Sequence, residues 1–301
     1  MRTLRDAWIV ARFDLGESLR SRKVLVILAL YVAGAVAAAV IFTEVLQTIE
    51  AELAQQLLVA RTDRPGSLTQ AVMESDELRR VLSRLVGDRE LGASLVTVPP
   101  LALLYGWVAL TFGPIFVILA SSDTISAELA TGSARFALAR TDRGAWALGK
   151  LFGQAALLAV GIVLGAVAAL ITGFVQLASF PVLDTALWMM RYAGMSFPYA
   201  FAFLGLALGV SQLTRSVPWS RALGLLALAA VSGLSSVFAR DDVRETAPVL
   251  FDSLGQLFPA AHRLDLWRPS PSDFLPSVIV LAALGVGYFV IGHVRFARRD
   301  S

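Results

Sequence analysis

Six long runs of apolar residues divide this chain of 301 residues, and its charged residues fall between them. Each run has about 17 to 25 residues, the length that an α-helix needs to cross a bilayer. One charged side chain at the centre of a membrane costs about 2.5–3.5 kcal/mol even on lenient insertion scales. The pattern therefore predicts an all-α integral membrane protein with six transmembrane helices, at residues 24–43, 99–120, 151–175, 192–213, 222–238 and 277–294.

Charge is distributed unevenly between the two sets of connecting segments. Residues 1–23, 121–150, 214–221 and 295–301 together hold more Lys and Arg than Asp and Glu, whereas the other set holds more Asp and Glu. Lys and Arg accumulate on the cytoplasmic side of short membrane loops. We therefore expect a multi-pass protein of the bacterial cytoplasmic (inner) membrane with both termini cytoplasmic. The basic pI of about 9.6 follows from this distribution and does not indicate a nucleic acid partner.

The longest polar segment, residues 44–98, is near the lower limit of length for independent folding. Apolar residues recur at helical spacing on both sides of Pro65-Gly66, a pair that breaks helices. The sequence therefore predicts one transmembrane domain over residues 1–301, with an extracytoplasmic helical hairpin at 44–98. This hairpin either binds an extracytoplasmic protein or caps the helix bundle.

An amphipathic helix is predicted before the first span. Apolar residues recur every three or four positions from Leu4 to Leu19, with arginines mostly on the other side. The pattern indicates an interfacial elbow helix over 1–23 in contact with the lipid bilayer, although an ordinary docked amphipathic helix gives the same pattern. The residues that define this elbow helix are Trp8, Arg12, Leu15 and Arg20.

Few residues of the chain could act in catalysis or bind a nucleotide, a metal or a transported ion. There is no cysteine, and 56% of the residues are hydrophobic. The stretch 144–151 nearly matches the phosphate-binding P-loop, but Leu151 stands where Ser or Thr must bind Mg²⁺, and no strand pattern precedes it. His262 and Asp265 are too few ligands for a metal site, and the predicted spans hold no ionisable Asp, Glu, Lys or Arg for an ion-coupled carrier. We therefore expect no catalytic, cofactor-binding or metal-binding residue, and no enzymatic activity in this chain.

The segment 121–150 is the most informative of the polar segments. Large apolar residues, among them Phe136 and Trp146, are interleaved with acidic and basic ones. Short amphipathic helices that dock on a partner or against the membrane face carry such a pattern. Aromatic residues dominate buried interface hot spots, so Phe136 and Trp146 are candidate anchors. The sequence therefore predicts a cytoplasmic hairpin over 121–150 that docks on a partner or on the membrane face, and we name it the coupling hairpin.

This segment resembles the signature that type-2 ABC (ATP-binding-cassette) exporter permeases carry between their second and third spans. The matching residues are Glu128-x-x-x-Gly132-Ser133, Phe136-Ala-Leu138, Arg143 and Gly149-Lys150. The run Ala11-Arg12-Phe-Asp14-Leu15, followed by Leu19-Arg20-Ser-Arg22, also resembles the family's elbow helix. Two positions depart from the pattern, because Thr141 stands where the family has a turn proline and Ala137 replaces one of two paired leucines.

The resemblance implies a permease subunit that exports a substrate and dimerises with itself, as a homodimer or pseudo-dimer. It also implies that ATP and Mg²⁺ bind to separate cytoplasmic ABC ATPase subunits, whose closure presses on the coupling hairpin and the elbow helix. The chain is similar to the Nos-type and gliding-type permeases, whose ATPase is a separate chain. The ATPase contact that it implies comprises Ser126, Glu128, Gly132, Phe136 and Arg143.

A different class of function fits the same pattern. In a mechanotransmitter, ATP-driven motion would reshape 44–98 and 239–276 to act on an extracytoplasmic protein, and no solute would cross. A passive channel or secondary carrier would need no ATPase, and the uncharged spans argue against it. A membrane enzyme fits the sequence least well.

Overall fold

The protein is almost entirely helical in the computed structural model, which describes residues 2–57, 89–177, 181–238 and 254–298. The α-helices in these ranges are α1 (Arg2–Ser18), α2 (Arg22–Leu57), α3 (Arg89–Leu95), α4 (Pro100–Ser121), α5 (Thr124–Thr131), α6 (Ala134–Leu138), α7 (Arg143–Gln176), α8 (Val182–Ser211), α9 (Val217–Phe238) and α10 (Pro271–Ala297). Two short 3₁₀ helices, Pro259–His262 and Asp265–Trp267, precede α10.

Six of these helices, α2, α4, α7, α8, α9 and α10, are long and apolar enough to cross a membrane. Large apolar side chains stand exposed along them, for example Leu30 on α2, Ile171 on α7 and Ile291 on α10. A soluble monomer rarely exposes so much continuous apolar surface, whereas a lipid-facing surface is apolar by necessity. The predicted class, an all-α membrane protein with six spans, is confirmed.

The helices extend beyond the predicted apolar runs. The clearest cases are α7, which begins at Arg143 instead of 151, and α8, which begins at Val182 instead of 192. Hydropathy marks the hydrocarbon layer, but a helix continues past it until the backbone changes conformation. For α7 this change comes at Asp142, which is extended with φ −62° and ψ 145°. Residues 143–150 of the predicted coupling hairpin are therefore the first two turns of α7.

The longer α8 contains Arg191, which the apolar pattern placed in a loop. Its Nη2 donates to the carbonyl oxygen of Arg268 at 2.6 Å, and its guanidinium lies 5.0 Å from the centre of the Trp188 ring. A charged group is tolerated on such a helix when it is paired with backbone oxygens and aromatic faces. Arg191 thereby fixes the segment before α10 against α8.

Helix α8 lies at the centre of the bundle and packs against α4, α7, α9 and α10. Its contact with α10 is very close, because both helices present glycines. A Cβ on Gly209 would lie 2.5 Å from the carbonyl oxygen of Tyr288, and a Cβ on Gly292 would lie 2.3 Å from that of Gly209. Small residues allow spanning helices to approach backbone to backbone. α8 and α10 therefore form one closely packed pair.

The predicted extracytoplasmic hairpin, 44–98, is described only at its ends. Helix α2 continues through Leu57, and α3 leads into α4. The Pro65-Gly66 turn, the middle of the hairpin and residues 239–253 lie outside the described residues. The hairpin therefore stays a prediction.

Candidate coupling site at the terminal face

One face of the bundle carries helix α1, the short helices α5 and α6, and the end of α10. Arg143, at the start of α7, donates from Nη1 to the carbonyl oxygen of Ala297 at 3.0 Å. Lys150 on α7 bonds to Asp14 on α1. We call this surface the terminal face, because the first described helix and the end of the last one both contact the start of α7 there. Both ends of the described chain thus lie on the same side of the bundle.

Asp123, immediately before α5, joins three helices at the terminal face. Its buried carboxylate accepts hydrogen bonds from Lys23 at the start of α2 and from Nε of Arg221 on α9, the latter at 2.8 Å. A buried carboxylate is stable only when it is paired in this way. The hydroxyl of Ser220 adds a bond to the carbonyl oxygen of Ser122. The first connection of the coupling hairpin is thus fixed to α2 and α9.

The start of α5 is capped by a residue of another helix. The first N–H groups of a helix have no acceptor within it, and a side chain at the N-cap usually supplies one. Asp123 occupies the N-cap position but makes no capping bond, since its carboxylate binds the two cations. Instead, the backbone N–H groups of Ile125 and Ser126 donate to Oγ of Ser211, at 3.1 and 3.0 Å. Ser211, the last residue of α8, therefore caps the first turn of α5.

The turn after α5 directs α6 outward. α5 ends at Thr131 and is followed by the C-cap residue Gly132, whose φ of 75° is the left-handed conformation that glycine adopts without strain. α6 follows at once and exposes 81% of Phe136. Arg135 and Arg140 on either side of it are exposed as well. The tip of the hairpin is therefore an aromatic side chain flanked by two cations.

A buried ion cluster connects the other end of the hairpin to α1. Lys150 donates to Oδ1 of Asp14 at 2.5 Å and to Oε1 of Glu128. Gln154, one turn further along α7, donates to Oδ2 of Asp14 at 2.8 Å and accepts from Ser121 of α4 at 2.9 Å. One ammonium group thus compensates two carboxylates, and only the Glu128 side chain, 24% exposed, reaches solvent.

Two glycines bring α1 against α7 at this cluster. A Cβ on Gly149 would lie 2.5 Å from Cβ of Val10, and one on Gly153 would lie 3.0 Å from Cβ of Asp14. The stretch 144–151, which nearly matches a P-loop, is therefore continuous helix. Within it, Gly149 allows α1 to approach closely and Lys150 binds Asp14. Its near-match to a nucleotide-binding loop reflects helix packing.

The elbow residues predicted from sequence lie on the outer side of α1. Trp8, Arg12 and Arg20 are exposed and line one shallow groove, while Leu15 is half-buried. The side that packs on α7 carries Ala7, Ala11, Asp14 and Ser18 instead. The large apolar residues of α1 thus face away from the protein, as an interfacial helix requires.

The five predicted ATPase contacts divide into surface and interior positions. Phe136 is exposed and Gly132 is partly exposed, so both lie at the surface. Ser126 is fully buried, and its hydroxyl donates to the carbonyl oxygen of Asp123 at 3.2 Å. The carboxylate of Glu128 is turned inward to Lys150, and Arg143 binds the end of α10.

Sequence reasoning missed several residues that organise this face. Trp146 was predicted as a surface anchor but is 1% exposed and packs 5.9 Å from the Phe296 ring. Asp14, Asp123 and Ser211 were not singled out as site residues. For Asp123 the available signal was its position just after the second predicted span, because a carboxylate at the membrane boundary needs a partner nearby.

The described residues thus form a bundle with six helices that could span a membrane, an amphipathic N-terminal helix, and a short helical hairpin on one face. The model of the ABC-2 family transporter proteins matches residues 8–301, and the chain belongs to this family. It is thus a permease-type membrane component of an ABC transporter and not itself the ATPase, and the family implies association with ABC ATPase subunits. A comparison with curated proteins finds no match.

Proposed function

We propose that this chain couples ATP hydrolysis in separate cytoplasmic ATPase subunits to the export of a substrate across a bacterial cytoplasmic membrane. Two copies of the chain form the permease, and each copy binds one ATPase subunit at its terminal face. The terminal face is then cytoplasmic, in agreement with the Lys and Arg bias of its segments. ATP and Mg²⁺ bind only in the partner subunits.

The observation that carries this proposal is the attachment of the coupling hairpin to the whole bundle. Asp123 binds α2 and α9, Ser211 binds α5 to α8, and Arg143 binds the end of α10. The hairpin is also continuous with α4 and α7. A displacement of α5 and α6 therefore acts directly on all six spanning helices, as a coupling element requires.

The surface that receives the ATPase subunit is centred on Phe136. Aromatic and arginine side chains supply most of the binding energy in protein interfaces. Phe136 stands exposed between Arg135 and Arg140, and nothing in the described part of the chain covers it. We propose that the ATPase contacts this exposed tip. Ser126, Glu128 and Arg143 instead bind the rest of the bundle and keep the tip in position.

Copurification of the tagged chain from its native membrane in mild detergent tests the proposal. A nucleotide-binding chain should copurify in equal amount with the wild-type protein. Phe136→Ala should remove about nine-tenths of it, because loss of a central aromatic anchor costs about 2 kcal/mol or more. Phe174→Ala, which truncates an exposed phenylalanine near the opposite end of α7, should retain it.

A wild-type chain that purifies without any ATPase and still transports would refute the proposal. Vesicle transport distinguishes the mechanotransmitter, which would hydrolyse ATP in the complex while no solute crosses. The similarity to the Nos-type and gliding-type permeases stays a prediction, and the sequence of the copurified ATPase would test it.

A further inference from the structure

The buried cluster of Asp14, Glu128 and Lys150 links three helices that are far apart in the chain. Asp14 belongs to α1, Glu128 to α5 and Lys150 to α7. Lys150 and Asp14 are each 3% exposed. We refer to these three residues as the Lys150 cluster.

Among the ion pairs of the described residues, Lys150 is the cation of both Asp14 and Glu128. A lysine ammonium buried without a carboxylate, or a buried carboxylate without a cation, is strongly unfavourable. Separation of α1 from α7 would remove the cation from the buried carboxylate of Asp14, and Lys150 would keep only Glu128. Gln154 adds to this constraint, because its amide donates to Asp14 and to Ser18 of α1, the latter at 3.1 Å.

Backbone packing reinforces the same connection. Gly149 and Gly153 lie on the side of α7 that faces α1, and each is too close to α1 to accept a Cβ without displacement. A sliding motion of α1 along α7 would move these contacts out of register. Both the charges and the backbone therefore resist relative movement of the two helices.

We infer that Lys150 is a positioning residue that joins α1, α5 and the first turns of α7 into one rigid unit. This inference rests on the proposed function and deepens it. When the ATPase displaces the coupling hairpin, Glu128 transmits the displacement through Lys150 to Asp14, and the elbow helix moves with it. The elbow helix then follows the hairpin without needing its own contact with the ATPase.

A charge exchange tests the role of Lys150. In an Asp14→Asn background the amide oxygen at position 14 can still accept from Lys150, so the connection to α1 is kept. One ammonium then faces one carboxylate, and the two can be exchanged. Glu128→Lys alone and Lys150→Glu alone should each lower ATP-dependent transport about tenfold, since pairs in contact contribute about 0.5–3 kcal/mol of interaction energy. The combined exchange Glu128→Lys/Lys150→Glu should restore transport to within about threefold of the background.

The exchange separates this inference from the proposed function. Only variants that still copurify with the ATPase are compared, so loss of docking is scored separately. An exchanged pair that docks but stays inactive would overturn the inference, because Glu128 would then act by a direct contact of its own. Glu17→Gln, which neutralises an exposed carboxylate of α1, is the matched control and should leave transport unchanged.

A disulfide between α1 and α7 tests the rigid unit in a single variant. The chain has no cysteine, so Asp14→Cys/Gly153→Cys introduces the only pair. The two Cβ atoms would be 3.0 Å apart, which requires a small separation to reach disulfide geometry. The reduced form lacks the Asp14–Lys150 pair and should transport less than the wild type, whereas the oxidised form, in which the disulfide replaces that connection, should recover transport to within about twofold of the wild type. Oxidation that leaves transport unchanged or lowers it further would show that a fixed connection between α1 and α7 is not needed, and would overturn the inference.

Discussion

Gly205 on α8 and Gly285 on α10 meet backbone to backbone, so that a Cβ placed on Gly205 would lie 1.8 Å from the carbonyl oxygen of Gly285. No side chain separates the two helices at this point. Such a contact gains dispersion energy along the full length of the crossing, and any added methyl group forces the helices apart.

Gly205→Ala should therefore destabilise the protein. Overpacking of a closely packed contact costs about 1–3 kcal/mol, and we expect the Tm in detergent to fall by about 5 °C or more. The measurement is thermal unfolding followed by size-exclusion chromatography. Gly287→Ala on α10, which would meet nothing within 4 Å, should leave the Tm unchanged or raise it slightly. Equal effects of the two substitutions would contradict the close contact.

Gly149→Val should displace α1 from α7, because even a single Cβ at Gly149 would lie 2.7 Å from the carbonyl oxygen of Ala7. Ala11→Cys reports the displacement in this cysteine-free chain, since Ala11 is 4% exposed. The thiol should be unreactive to maleimide with Gly149 present and should react at least about tenfold faster with Gly149→Val. Gly194→Val, at an open position of α8, is the control and should leave the thiol protected.

Asp123→Asn should weaken the attachment of the coupling hairpin to α2 and α9. The substitution leaves Lys23 and Arg221 without their shared carboxylate, but both cations reach solvent, so the loss should stay below about 3 kcal/mol. We expect the Tm to fall by about 5 °C and transport to fall with it. Asp142→Asn changes an exposed carboxylate of the same segment that makes no capping bond, and it should have little effect.

Cysteine labelling should determine which residues of the hairpin are accessible, and from which side of the membrane. A cysteine in place of exposed Phe136 should react with a membrane-impermeant maleimide in inverted vesicles from cells that make the chain without its ATPase, and not in the intact cells. A cysteine in place of buried Ser126 should react in neither until the protein is denatured. Labelling of the Phe136→Cys variant in intact cells would place the terminal face outside the cytoplasm and contradict the predicted orientation.

The spans could be predicted from sequence because hydrocarbon selects apolar residues over a fixed length. The ends of the helices could not, since the interface tolerates charged residues such as Lys150 and Arg191 within regular helix. The ion pairs could not be predicted from sequence either. Lys150 and Asp14 are 136 positions apart, and only the fold brings them together. The coupling segment was recognised from its aromatic and charged residues, but periodicity did not distinguish buried Trp146 from exposed Phe136.

The capping of α5 by Ser211 has a consequence for biogenesis. Helices of eight and five residues, the lengths of α5 and α6, are not stable alone in water. They acquire their shape from Ser211 and Arg221, which the ribosome adds long after the hairpin itself has left the exit tunnel. In a nascent chain the hairpin should consequently stay without these two supports until synthesis has reached α9.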